Sequence, residues 1–283
     1  IYTLKTYFLV RGAIIQGAPN QTGPLLSIFR LLSFGLTRYD EDMRAVDERR
    51  VHRLAWLSLP IGLVFYGTNG AFFAVLLNRP IWNSAVTPLL FVVAALLSGG
   101  ALVAFLTYLF TANDTELRDT LIEYLGRAIL FLLVVFLALE TMLFTVGYHT
   151  GRPDVVTSLN HITIGPGWWN FWIVHFGIGS LIPLALLTFF YKNPKAVAWA
   201  CFLIFITFIS VRYNFVIPDL AVYKLEGLDS AFLDPRLSTS YTPNLNEWLV
   251  SIWIISAGLI VFLLGTRYLP IVNANSGGMD HAS

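Results

Sequence analysis

The chain has 283 residues, of which 56% are apolar and 12% charged, with a net charge of +1 and a mean hydropathy of +0.68. Soluble domains carry about 25% charged residues, so this composition excludes a soluble globular protein and a disordered chain, and the missing basic surface excludes nucleic acid as a partner. The single cysteine, Cys201, excludes an intrachain disulfide framework, and this chain alone cannot supply the thiolates of an iron–sulfur cluster or a Cys-rich zinc site. What remains is a multi-span membrane protein.

The chain opens on Ile1, and residues 1–15 (IYTLKTYFLVRGAII) read as the end of a helix whose start lies upstream, with two further spans expected before it. Residues 24–36 (PLLSIFRLLSFGL) read as a short interfacial helix. Residues 38–53 (RYDEDMRAVDERRVHR) read as a charged connector. Six stretches then reach the roughly 20 apolar residues that a membrane helix needs. They lie near 53–78, 83–112, 120–148, 168–191, 194–217 and 247–269. The fold class is therefore an all-α membrane protein, a helical bundle with six transmembrane helices in the lipid bilayer. Lipid offers no partner to an open strand, and the alternation of a membrane barrel is absent. The organisation expected is an N-terminal cytoplasmic or interfacial segment at 1–52, a transmembrane domain at 53–269 and a flexible tail at 270–283.

Lys and Arg set the orientation. With residue 53 entering from inside, thirteen of the 18 basic residues fall on the inner side or inner helix ends. The other five, Arg79, Arg152, Arg212, Lys224 and Arg236, fall outside. Both chain ends are then cytoplasmic, and the long loops 149–167 and 218–246 face outward.

Ionisable residues are costly inside a membrane and mark function by default; the alternative is an interhelical hydrogen bond that only holds helices together. Glu140 lies in ILFLLVVFLALETMLFTVGY, about 12 Å below the outer helix end at 1.5 Å per residue, and is suited to carry a proton. His175, in WWNFWIVHFGIGSLIP, lies at a similar depth, about 10 Å down. Asn69, in VFYGTNGAFFAVLLN, shares that layer, with Tyr66 one turn further in. Arg127 follows Glu123 at i, i+4, either as a self-neutralising pair near the inner surface or as the inner end of a proton path. Arg79 and Trp82 (NRPIWNS) and Arg212 (SVRYNFVIPD) sit at outer ends. The aromatic belt accounts for most of the Trp residues, but Arg79 and Arg212 run against the charge trend, and either could orient a quinone carbonyl or dock an acidic partner. Gly99 and Gly100 (ALLSGGALV) read as a close helix contact.

Of the five histidines, His52, His149, His161, His175 and His281, only His175 is well inside a span. A bis-His haem pair needs four, so no haem is expected, and no metal-ligand spacing stands out. Electron transfer would then need a lipid-soluble carrier here and metal centres in other subunits. A secondary transporter or ion channel lined by Glu140, Arg127 and Glu123, and a purely structural anchor, are the competing classes.

These residues carry a resemblance. FYGTNGAFFAVLLNRPIWNSAVTPLLFVVAALLSGGAL (65–102), FLALETMLF (136–144), WWNFWIVHFGIGSLIPLALL (168–187), SVRYNFVIP (210–218) and YTPNLNEW (241–248) resemble, in order, the NrfD/PsrC-like membrane subunits, the quinone-binding anchors of polysulfide-reductase-type complexes. The resemblance implies the last six helices of a bundle of eight or more. It also implies a quinone or quinol site (menaquinone or ubiquinone) near the outer surface, and an iron–sulfur subunit linked to a molybdopterin catalytic subunit. The implied location is the inner (cytoplasmic) membrane of a prokaryote. By matching positions, Asn69–Trp82 and Glu140 carry over as pocket or proton-path residues. Relatives often have a histidine near Thr68-Asn69-Gly70, and this chain has none.

Overall fold

Apolar side chains at helical spacing, broken by Pro, Gly and Asn, produce a chain whose described residues are helical and contain no strand. The computed structural model describes residues 1–17, 24–111, 115–221 and 244–268. Along the chain run α1 (Tyr2–Gly17), α2 (Pro24–Leu32), α3 (Glu41–Ala74), α4 (Thr87–Phe110), α5 (Thr115–His149) and α6 (Pro153–Thr163). They are followed by α7, π-helical over Asn170–Leu181 and α-helical over Ile182–Phe189, then α8 (Pro194–Leu220) and α9 (Leu245–Tyr268). Six of these, α3, α4, α5, α7, α8 and α9, are long and apolar enough to cross a membrane, at the six places expected from sequence. The tail 270–283 lies outside the described residues, as does most of the 218–246 loop, with Lys224 and Arg236.

Local signals set the helix ends. Asn193 caps α8, its side chain accepting from the Lys195 amide at 3.1 Å, with Pro194 at the first turn. Asn244 and Glu247 form a reciprocal capping box at the start of α9, with bonds of 2.8 and 2.9 Å.

The chain divides into two compact units, residues 1–62 with 242–283, and residues 63–241. In the first, Asp47 is buried and accepts from Arg11 at 3.1 Å and Arg50 at 3.3 Å, joining α1 to α3. Tyr39 reaches the same carboxylate, and burial, then the negative charge of Asp47, pushes its phenol pKa up. The stretch 38–53, read as a connector, is helical from Glu41 and continuous with the first span. It contains no Gly or Pro, and the Arg44–Glu48 pair, 3.0 Å apart at i, i+4, supports it locally.

The second unit packs α4, α5, α7 and α8 around Leu97, Ala101, Ala104, Ile129, Leu133, Val197, Ala200, Cys201 and Ile204. Lipid tails are as apolar as these side chains, so close packing rather than water exclusion holds the helices, and small residues let their backbones approach. A Cβ on Gly179 would lie 2.3 Å from Thr207 Oγ1, and one on Gly126 would lie 2.8 Å from Val197 Cγ1. Gly99 and Gly100 do not play the part expected of them: a Cβ on Gly99 meets nothing within 4 Å, and one on Gly100 meets only Ile129 Cγ1 at 3.8 Å. Gly99 lies on the exposed side of α4, turned away from its neighbours.

The stretch 149–167, read as a loop, contains α6. Gly151 takes the left-handed conformation (φ 62°), Pro153 starts the helix, and Val155, Ser158, Leu159 and Ile162 form its buried face. Val155, Leu159 and Ile162 pack with Ile81, Trp82 and Phe171 in a second apolar cluster. Partial burial pushes the His161 imidazole below its ordinary pKa, so it is neutral at pH 7.

Gly179→Ala should destabilise the protein by about 1–3 kcal/mol, because the new methyl overpacks the α7–α8 contact. Gly99→Ala should be neutral or stabilising by about 0.5–1 kcal/mol. Thermal unfolding of the two variants in the same detergent checks the contrast.

Candidate functional site

The close approach of α3 to the start of α4 builds a cavity of about 380 Å³ within the second unit. Gly70 makes that approach possible, since a Cβ there would lie 2.6 Å from the Pro88 backbone. From α3, Tyr66, Asn69 and Phe73 line the cavity at i, i+3 and i+7, one face of a helix. Opposite stand Phe91 of α4, Phe136 of α5 and Phe208, Arg212 and Phe215 of α8. The rings of Phe73, Phe91 and Phe215 contact one another with centroids 5.2 to 5.6 Å apart. Such separations suit aromatic pairs, and the volume lies in the range of small-molecule sites, about 300–1,000 Å³.

Three polar side chains face this aromatic wall with capacity to spare. The Asn69 amide nitrogen donates to the Phe65 carbonyl at 3.0 Å, which leaves its oxygen as an acceptor. Tyr66 makes no hydrogen bond to a described residue. Arg212 makes neither a hydrogen bond nor an ion pair to one, so its guanidinium is an uncommitted cation at the cavity.

Glu140 and His175, placed at matching depth by sequence, meet. Glu140 Oε2 lies 3.2 Å from His175 Nε2, and the His175 side chain is 2% exposed. The contact lacks hydrogen-bond alignment, and neither ring nitrogen of His175 has a hydrogen-bond partner among the described residues. His175 lies within the π-helical part of α7, whose i→i+5 bonding widens the turn and puts Phe171, His175, Gly179 and Ser180 on the buried face. Ser180 Oγ donates to the His175 carbonyl at 3.0 Å, five residues back. π-Helical turns are rare and recur at functional sites.

The pair does not line the cavity; Phe136 stands at the boundary. Its ring forms part of the cavity wall, and its centroid lies 6.2 Å from that of His175. Glu140 follows Phe136 at i+4 on α5, about 6 Å further along the axis. Asn69 is thus at the cavity, and His175 sits behind its wall. Phe136 lies inside the FLALETMLF stretch but is silent in the sequence, because a phenylalanine in an apolar helix has no signal that separates wall from core.

The other residues expected at the site have partners of their own. Arg79 donates to the Asp219 carbonyl at 2.9 Å, and Trp82 Nε1 donates to the Phe215 carbonyl at 2.6 Å. The first satisfies one of the terminal carbonyls of α8 that no helical amide reaches. The second holds the residue whose ring closes the cavity. Arg127 pairs with Glu123 and lies over the Tyr191 ring at 5.6 Å, with the Arg127 side chain 65% exposed. The pair is a neutralised patch on the flank of α5. The α7–α8 seam has its own clamp: Asn170 donates to Asn214 at 2.8 Å, and Ser210 donates to Asn170 at 2.9 Å. Among the described residues, no three His, Cys, Asp or Glu side chains gather where a metal ion could be held.

Comparison with known proteins adds a family to this geometry. Residues 21–223 match the family described as polysulphide reductase, NrfD. Over 275 residues the chain is 28% identical to a selenate reductase subunit of Mesobacillus selenatarsenatis, an alignment that takes in 95% of this chain and 64% of that one. Over 270 residues it is 28% identical to the Hdr-like menaquinol oxidoreductase integral membrane subunit of Archaeoglobus fulgidus, with coverage of 88% and 62%. Over 238 residues it is 28% identical to a putative dimethyl sulfoxide reductase membrane subunit of Halobacterium salinarum, with coverage of 77% and 53%. The chain therefore spans less than two thirds of the length of each of these relatives.

Trp82→Phe keeps the ring and removes the hydrogen bond to the Phe215 carbonyl. It should cost about 0.5–1.5 kcal/mol, read as a lowered melting temperature of the purified protein.

Proposed function

This chain belongs to the polysulphide reductase NrfD family, and from that membership we propose that it is the quinone-binding integral membrane subunit of a respiratory oxidoreductase complex. It exchanges electrons and protons between the membrane quinone pool and an iron–sulfur subunit docked on the outer face. That subunit leads to a molybdopterin catalytic subunit, and the complex sits in the inner (cytoplasmic) membrane of a prokaryote. The observation that carries this reading is the aromatic cavity with three polar groups, Tyr66, Asn69 and Arg212, that keep hydrogen-bonding capacity unused among the described residues. The names of the relatives agree with it, since one is a menaquinol oxidoreductase subunit and two are subunits of reductases.

The chemistry follows from what a quinol must lose. Its oxidation to quinone releases two electrons and two protons, and the reverse takes them up. The flat ring suits the space beside Phe73, Phe91 and Phe215, where face and edge contacts orient it. Arg212 directs fixed N–H donors at a ring oxygen, and these bonds strengthen as negative charge grows there on deprotonation. Tyr66 and Asn69 supply a hydroxyl and an amide oxygen to the other polar edge. Protons pass through the Glu140–His175 pair, one turn beyond the cavity wall. Electrons pass to the iron–sulfur subunit, because this chain's side chains bind and orient but do not carry them.

Arg212→Met should weaken binding of a fluorescent quinol analogue by roughly tenfold or more and leave the melting temperature unchanged, since the guanidinium bonds no other described residue. Unaltered affinity would remove the cavity from the mechanism. Glu140→Gln should assemble normally and lower quinol-linked turnover on the order of a hundredfold; wild-type turnover in that variant would refute its proton role.

A further inference from the structure

One side chain divides the two halves of the candidate site. Phe136 is 2% exposed and faces the cavity on one side. On the other, its ring lies at a tilt of 36° to the His175 ring, with Phe208 at 5.9 Å beside it. Behind it, His175 keeps both ring nitrogens buried and without hydrogen bonds among the described residues, with the Glu140 carboxylate 3.2 Å away. Leaving buried polar atoms unsatisfied is costly, and each such group in a native structure asks for an explanation. The two nitrogens offer a vacant donor and acceptor directly behind an apolar wall one ring thick.

We infer that Phe136 is the partition between the cavity and the Glu140–His175 pair, and that proton exchange between a cavity ligand and the pair requires this ring to be displaced. Phe136 is a positioning residue, since it takes no part in proton transfer itself. With the ring seated, the ligand oxygens face only Tyr66, Asn69 and Arg212, and the pair is insulated from them. With the ring swung aside, the His175 imidazole becomes part of the cavity wall and a proton can cross. The arrangement couples proton transfer to cavity occupancy, and the partition rests on the proposed quinone site only for the identity of the occupant.

The test needs no turnover. The purified protein is treated with diethyl pyrocarbonate, and carbethoxylation is read at each histidine by mass spectrometry, with the exposed His149 as internal reference. In the wild type His175 should react far more slowly than His149. In Phe136→Leu and Phe136→Ala it should react several-fold faster than in the wild type, with the rate at His149 unchanged. Phe136→Tyr retains the ring and should restore slow labelling. Two results would overturn the partition: His175 labelling no faster in Phe136→Leu than in the wild type, or wild-type His175 labelling as fast as His149. A saturating quinol analogue should slow labelling of His175 in Phe136→Leu. If labelling rises in that variant but the analogue gives no protection, the partition stands and the quinone reading falls.

Discussion

Helices in hydrocarbon gain little from hiding apolar surface, so their arrangement depends on how closely their backbones can approach. In the second unit that constraint selects the residues at the contacts. Ala101, Ala104, Gly126, Gly179, Ala200 and Cys201 lie where α4, α5, α7 and α8 touch, and the bulkier side chains fill what is left. The cavity is the complement of this packing. At Gly70 α3 comes against the start of α4, and the large rings nearby cannot fill the space beside that crossing. A void lined by phenylalanines results, and the polar groups that reach it are those that happen to share the α3 and α8 faces.

Arg79 and Trp82 illustrate how one motif serves a site without entering it. Both reach carbonyls on the last turns of α8, and Arg79 satisfies one, at Asp219, that no helical amide reaches. That anchoring fixes Phe215, whose ring stacks on Trp82 and closes the cavity. A tryptophan at a membrane interface is ordinarily read as a belt residue, and this one is 6% exposed. Its contribution to the site is to hold a wall, which is also the contribution of the Asn170–Asn214–Ser210 clamp to the α7–α8 seam.

The π-helical segment is the local deviation with the largest consequence. An α-helix would carry Phe171, His175 and Ser180 progressively around its surface. The wider turn keeps them on one side, against α5 and α8, which brings the imidazole to Glu140. The unsatisfied nitrogens of His175 and the tightness of Gly179 against Thr207 belong to the same stretch. Packing here has been set by where a histidine stands rather than by the most economical helix.

Span number, span positions and the matched levels of Glu140 and His175 were legible in the sequence, because hydrophobic length and the 1.5 Å rise of a helix fix distance along its axis whatever surrounds it. The buried face of α6 was also there to be read, in the spacing of Val155, Leu159 and Ile162, but it is short and flanked by polar residues. Azimuth was not legible. Only the tertiary structure decided that Gly99 faces outward while Gly126 and Gly179 pack, that Arg79 is committed and Arg212 is not, and that Phe136 separates the cavity from the ionisable pair. The physical reason is that rotation about each helix axis is set by its neighbours. In spans that are apolar on every side, no polar stripe records that rotation in the sequence.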